Sequence, residues 1–405
     1  MTVVSSLFSI GDMPARHSDS LDPMTTPSLN IALLGSKFMG KAHSNAWSQA
    51  SHFFDLPSRP VLHTIAAQDG VYLEKFAEQW GWAHWTTDWQ SAIADPAIDL
   101  VDIGTPNHLH REQAIAALEA GMTVACEKPL AGTLDDAREM KDAARRHRAP
   151  TFVWYNYRRA PALALAHQLV AEGKLGRIYH VRAAYLQSWG GPDTPLNWRF
   201  QRAKAGSGSL GDLMAHIIDM ARFVTGDEIT EVSGAVEERF IKQRPRLDDA
   251  TRKGRSSVDD AVVFVARFRS GAVGSFESTR LATGVKNSNR IEIHGESGAL
   301  RFNFERMNEL EFFDGNEPPR LRGWRTIQAM HADHPYAADW WPDGHWLGYG
   351  DTFINQAADI VVALNGGHPV VPIPDFEDAF VTQRVMEAAV LSARNRTSVR
   401  LSEVT

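Results

Sequence analysis

Leu29-Asn-Ile-Ala-Leu-Leu-Gly-Ser-Lys-Phe-Met-Gly40, running on into Lys41-Ala-His-Ser-Asn-Ala-Trp47, is the stretch that decides the fold. A short apolar run bounded by glycine reads as a buried strand, and the residues after Gly40 read as a helix. Strand, glycine turn and helix form the context in which a phosphate-binding fingerprint has physical meaning. Gly35 permits the tight turn, Gly40 lets the helix close on the strand, and backbone N–H groups at the helix start face a pyrophosphate. Lys37 stands where the fingerprint has its middle glycine. Its side chain either crowds the pyrophosphate or sets an ammonium against it. Phe38 and Met39 complete the turn.

Outward from this unit the pattern repeats. Val61 to Ala67 reads as a second strand, ending Ala67-Gln-Asp69. An acidic residue at that strand end hydrogen-bonds the ribose of NAD. Asp69 comes about two residues late for that role, but no arginine stands there to take a 2′-phosphate. NAD is therefore expected, with NADP not excluded. Ile98 to Ile103 is a buried strand entering Gly104-Thr-Pro-Asn-His108. A helix over 110–120 stops at Gly121, and Thr123 to Cys126 is a strand entering Glu127-Lys-Pro-Leu130. A helix over 133–147 follows. Strands alternating with helices imply a doubly wound parallel sheet, whose ligands bind at the carboxyl ends of its strands. Gly35, Thr105, Pro106, Asn107, His108, Glu127 and Lys128 all lie at such ends, so they should face one crevice.

Near residue 150 the pattern changes. The expected organisation is a disordered leader over 1–28, a dinucleotide-binding Rossmann domain over 29–150, and a substrate-binding and oligomerisation domain over 151–405. The second half opens with a strand at Phe152 to Tyr155 and a helix over 161–172. Candidate strands follow at 178–187, 229–237, 260–268, 272–280, 289–294, 299–304 and 309–313. Ser270-Gly271 and Ser297-Gly298 read as hairpin turns, and connections this short imply a mostly antiparallel, open sheet flanked by helices. The fold class is thus α/β followed by α+β. The aromatic segment 315–350 suits either the apolar faces of sugars or oligomer packing.

Within the second half, Gly206-Ser-Gly-Ser-Leu-Gly-Asp-Leu-Met-Ala-His216 begins a helix expected over 210–224. A four-residue step puts Asp212 and His216 on one face. An imidazole beside a carboxylate is a proton acceptor tuned near neutral pH. His43 reads as a helix-packing histidine and Cys126 as an inert buried thiol. His331, His334 and His345 have no ligand spacing, so no metal is expected.

With 405 residues the chain is long enough for two cores, and its 43% hydrophobic and 22% charged content is that of an ordinary globular protein. A net charge of −7 without a basic run argues against nucleic acid or an anionic membrane as partner. A single cysteine forms no internal disulfide, which together with the lack of a secretion signal suggests a cytoplasmic protein.

Glu127-Lys-Pro129 combined with Gly208-Ser-Leu-Gly-Asp212 and His216 resembles the glucose–fructose oxidoreductase, inositol dehydrogenase and rhizopine-catabolism (Gfo/Idh/MocA) family of nicotinamide sugar dehydrogenases. The resemblance covers about 29–395. It implies Lys128, Asp212 and His216 as the catalytic set, and Thr105 to His108 beside the nicotinamide. It also implies a cis Pro129 and a homodimer or homotetramer built on the C-terminal sheet. Phe38-Met-Gly-Lys-Ala-His-Ser-Asn-Ala-Trp47, Asn156-Tyr-Arg158, Trp198-Arg199 and the His334 region resemble a branch acting on levoglucosan-like anhydrosugars and on glycosides at C3. That resemblance suggests Asn156, Arg158, Trp198, Arg199 and His334 as sugar-binding residues, with Arg158 and Arg199 equally readable as structural charges. The expected reaction is oxidation of a secondary sugar hydroxyl: His216 takes the proton, Lys128 donates to the oxygen, and Asp212 orients the imidazole or binds a neighbouring hydroxyl. Two alternatives remain on the same fold: an NAD-dependent glycosidase using transient C3 oxidation and elimination, and a non-catalytic sugar or dinucleotide sensor.

Overall fold

The computed structural model describes residues 26–405. Most of the leader expected over 1–28 lies outside the described residues, while Ser28, counted with it, opens the first strand.

The first sheet holds β1 (Ser28–Leu34), β2 (Arg59–Ala66), β3 (His84–Thr86), β4 (Leu100–Ile103), β5 (Thr123–Cys126) and β6 (Thr151–Val153), in the order β3-β2-β1-β4-β5-β6. Every pairing in it is parallel. Its strands are apolar on both faces because both are covered. Ile31, Leu33, Ile65, Leu100 and Ala125 pack on one side with helices α1 (Phe38–Phe53) and α2 (Gly70–Trp80). Ala32, Leu34, Val101, Ile103, Val124 and Cys126 pack on the other, in a core that continues into the second half of the chain. The short helix α3 (Trp89–Ile93), α4 (His110–Glu119) and α5 (Leu134–His147) complete the crossovers. The order reverses between β1 and β4, which opens the ligand crevice above their carboxyl ends. The strand read as opening the second half is β6, and it pairs with β5, so the first sheet extends past residue 150.

The second half contributes α6 (Pro161–Ala171), β7 (Ile178–Leu186), the short α7 (Arg202–Ala205), α8 (Ala215–Thr225) and β8 (Ile229–Glu238). A two-stranded ribbon of β9 (Gln243–Pro245) and β10 (Lys253–Arg255) follows. Then come β11 (Ala261–Phe268), β12 (Val273–Thr279), β13 (Ser288–Gly295), β14 (Gly298–Asn303), β15 (Glu309–Asp314), β16 (Arg325–Gln328), α9 (Tyr349–Leu364), α10 (Phe376–Asn395) and β17 (Val399–Arg400). The sheet order is β16-β15-β14-β13-β7-β12-β11-β8-β17, antiparallel except where β7 meets β12. Along β11 burial alternates: Val262, Phe264, Ala266 and Phe268 face the core, while Val263, Val265 and Arg267 face outward. Helix α8 is buried along its whole length to Val224 and packs on β7 and β13. Helix α9 returns to lie against α1, so the two halves share packing. No helix among the described residues is long and apolar enough to cross a membrane.

Candidate active site

The site begins at the turn after β1. Gly35 has φ +112°, and a Cβ there would lie 2.8 Å from the carbonyl oxygen of Gly104. A Cβ on Gly40 would lie 2.5 Å from the carbonyl oxygen of Gly35. Only glycines allow α1 to close so tightly on the strand ends. No side chain caps the start of α1 and no acid sits in its first turn, so its N–H groups are left for an anionic ligand. A dinucleotide pyrophosphate fits this cradle. Lys37 does not block it, because its ammonium sits 3.8 Å from the centre of the Tyr72 ring, at the start of α2. Phe38 is exposed and stacks on Tyr349, and Met39 lies under Gly104. Asp69 is the N-cap of α2, accepting from Tyr72 N at 3.2 Å, which gives this residue a structural use three residues beyond the end of β2.

At the end of β4, Thr105 donates to Gln113 at 2.6 Å. Asn107 donates to the carbonyl of Ala205 at 2.9 Å, and His108 lies 3.3 Å from that of Lys204. The crevice is thereby joined to the segment leading into the glycine motif. That motif is glycine-rich because the chain is threaded between backbones. A Cβ on Gly206 would meet the Gly132 oxygen at 1.9 Å, and one on Gly208 would meet the Asp259 oxygen at 1.8 Å. The Asp259 carboxylate accepts from Gly208 N, Ser209 Oγ and Leu210 N at 2.6, 2.8 and 2.9 Å. It caps the turn that carries Asp212.

That turn, Leu210–Met214, is π-helical and precedes the α-helix that carries His216. The wider turn changes the expected four-residue stacking, a common feature of functional sites. Of the two parts expected for Asp212, orienting the His216 ring is not carried by a hydrogen bond between them: Asp212 interacts with that ring only through its charge. Its Oδ2 receives Arg280 Nε at 3.1 Å and Nη2 at 2.9 Å, and its Oδ1 faces Lys128 Nζ at 3.5 Å. Lys128 Nζ also donates to the backbone carbonyl of Asp212 at 2.9 Å, so the lysine crosses from one half of the chain to the other. The Lys128–Pro129 peptide bond is cis. Burial alone would raise the Asp212 pKa, but Arg280, Lys128 and Arg199 outweigh it and hold the carboxyl far below its ordinary range. The His216 ring is positioned by aromatics instead. It stacks on Tyr157 at 4.4 Å between centroids, with Tyr185 edge-on at 5.7 Å. Burial, and then the Lys128 charge, push its pKa well below 6.5, so the imidazole is neutral at physiological pH.

A family model described as an oxidoreductase family with an NAD-binding Rossmann fold matches residues 29–155, and one described as the GFO/IDH/MocA C-terminal domain matches 163–301. The chain belongs to the GFO/IDH/MocA oxidoreductase family. Levoglucosan dehydrogenase from Pseudarthrobacter phenanthrenivorans is 42% identical over 390 residues, which cover 93% of this chain and 99% of the relative. An oxidoreductase domain protein from Kribbella flavida matches with TM-score 0.89 and 47% identity over 93% of this chain and 99% of that one. Levoglucosan dehydrogenase in complex with NADH and levoglucosan matches with TM-score 0.88 and 42% identity over 92% and 99%.

In this family member the sugar-binding expectations divide. Trp198 and Arg199 stand beside the charged set. The Arg199 guanidinium lies 4.5 Å from the Trp198 ring and within electrostatic reach of Asp212, and its carbonyl accepts from Arg280. Arg158 is not at the site. It is buried, holding Asp219 through Nε at 3.0 Å and Asp378 through Nη2 at 2.6 Å. A buried guanidinium must be paired, and breaking such a set costs about 3–5 kcal/mol, so its place is structural. Asn156 is buried as well and donates to Thr352 at 2.7 Å. His334 is occupied within its own loop, where its Nδ1 accepts from His331 N at 3.1 Å. Sequence reasoning missed Arg280, which follows directly after β12, because nothing in the local sequence ties it to Asp212, 68 positions away. It also missed Tyr185, Gln187 and Asn287, which share hydrogen bonds of 2.6 to 3.2 Å beside Tyr157. Trp189 donates to Gln187 at 2.6 Å and extends this polar wall to an exposed ring.

Proposed function

We propose that this chain is an NAD-dependent dehydrogenase that oxidises a secondary hydroxyl of a sugar or anhydrosugar to a ketone, with levoglucosan and related C3-hydroxyl substrates first in line. The observation that carries the reading is the meeting of Lys128, Asp212 and neutral His216 beside a crevice built for a dinucleotide. The turn from Gly35 to Gly40 would hold the pyrophosphate, and Thr105 to His108, with Glu127, would line the nicotinamide side. NAD⁺ bound there supplies the hydride acceptor. His216 takes the hydroxyl proton, for which a buried, neutral imidazole is ready without first losing a proton. Lys128 donates to the same oxygen and stabilises the charge that develops on it. Asp212 is fixed as a carboxylate by Arg280, so its part is to aim Lys128 rather than to exchange protons. Trp198, Arg199, Tyr185, Gln187 and Asn287 offer the aromatic face and hydrogen-bonding groups that sugar hydroxyls need. The absence of a basic residue after β2, where Ala67-Gln68-Asp69 stands, supports NAD over NADP.

The test is NADH absorbance over a panel of levoglucosan, inositols, glucose and disaccharides, with NAD⁺ and NADP⁺ compared. NADH accumulating in step with a keto sugar is expected, with NAD⁺ preferred. Release of a free aglycone without net NADH would favour the glycosidase reading. No turnover, with dinucleotide binding retained, would favour a sensor.

A further inference from the structure

Directly behind Lys128 lies a buried charged set, His43, Asp102 and Glu127, of which the proposed function uses Glu127 alone. Asp102, fully buried at the end of β4, interrupts an otherwise apolar strand. Its carboxylate accepts from the indoles of Trp47 at 2.6 Å and Trp154 at 2.8 Å. His43 Nδ1 lies 3.0 Å from both of its oxygens. The other ring nitrogen, Nε2, lies 3.1 Å from Glu127 Oε1. Glu127 Oε2 in turn accepts from the backbone N–H of Lys128 at 3.0 Å. The imidazole is packed on Trp154, 4.4 Å between centroids, and on Phe353 of α9 at 5.6 Å. One histidine therefore joins the fingerprint helix, the ends of β4 and β5, and aromatic side chains from the second half of the chain.

Carboxylates only accept hydrogen bonds, and an imidazole donates from both nitrogens only when it is protonated. We propose that His43 is a positioning residue: as a buried imidazolium bridging Asp102 and Glu127, it fixes the Glu127 carboxylate against the Lys128 backbone and so sets where the Lys128 ammonium and the nicotinamide side of the crevice stand. The inference rests on the reading of Lys128 as the group at the reacting hydroxyl. The electrostatics agree with the geometry. Burial alone would lower the His43 pKa, yet Asp102 and Glu127 together raise it to about 9. Removing the bridge would leave two buried carboxylates facing each other across a gap, which is costly.

Two measurements test this. In wild-type protein at about pH 8, above the ordinary histidine range, the ring-nitrogen chemical shifts should show one histidine with both nitrogens protonated. A fully neutral set overturns the proposal. Steady-state kinetics and NADH binding should then be compared for H43Q, E127Q and the double variant. Each single variant is expected to weaken NADH binding and raise KM for NAD⁺ by about tenfold and to lower kcat, with the double variant no worse than E127Q alone. Additive losses, or an H43Q enzyme with wild-type KM and kcat, overturn it. The nitrogen shifts are read on wild-type protein, so they decide even if H43Q fails to fold. Wild-type protein that oxidises no sugar would sink the functional reading while leaving the imidazolium result standing.

Discussion

Asp212 and His216 show how far a single residue's role depends on what it touches in three dimensions. Both were legible in the sequence because a short motif carries them, and Lys128 was legible because it follows a strand end. The contacts that Asp212 and His216 make were not. Arg280 arrives from 68 positions away and takes Asp212, while Tyr157 takes the His216 ring. Arg158 could not be told from a sugar-binding arginine until Asp219 and Asp378 were seen to enclose it. The pH behaviour follows from the two buried histidines, which shift in opposite directions. The folded His216 has a pKa well below the unfolded 6.5, so between those values the unfolded chain holds more protons. Its contribution to stability is fully present above 6.5 and is lost as pH falls from there through the lower folded pKa. As the proposed general base it stays neutral over that range, so the acid limb it would set on kcat/KM should lie below pH 6.5; a limb at or above that value would contradict the proposal. His43 behaves oppositely. Its pKa is raised to about 9, so the stability it contributes is fully present below 6.5 and is lost as pH rises through about 9. Thermal unfolding followed across pH should show both losses.

Among the elements, the turn at Leu210–Met214 is the one that sequence periodicity could not reveal. Leu213, Ile217, Met220 and Val224 announce an amphipathic helix, but a single π-helical turn barely disturbs that spacing while it moves Asp212 relative to His216. The glycines before it were read as a family mark; the structure gives their reason in backbone contacts too close for any Cβ. Gly208→Ala would drive a methyl into the Asp259 carbonyl and should cost about 3 kcal/mol. The denaturation midpoint should fall accordingly, and an unchanged midpoint would show that the turn is looser than described. The long strands β7, β8 and β11 to β15 were legible from alternation and from the hairpin turns at Gly271 and Ser297. Strands β9, β10, β16 and β17 were not, since two to four residues carry too little pattern to separate from loop.

At the scale of the whole molecule, one sheet supplies the dinucleotide crevice, and the other supports the helix and strand ends that bring Asp212, His216 and Arg280 to it. The outward face of the second sheet has no cover within the described chain. Val263 and Val265 are about half exposed there, among Arg182, Glu277, Arg290, Glu292 and Arg301. Apolar positions ringed by both signs of charge suit a self-complementary contact with a second copy. Light scattering on the purified protein should therefore give a dimer or tetramer, and V263E/V265E should shift it toward smaller species. A wild-type monomer would leave the face unexplained. The central claim, that Lys128 reaches across the two halves to the reacting hydroxyl, is tested most directly by the rate of NADH formation in K128A protein that still binds NADH. A loss of at least about 100-fold in kcat is predicted, and a K128A enzyme that turns over sugar at the wild-type rate would contradict the account.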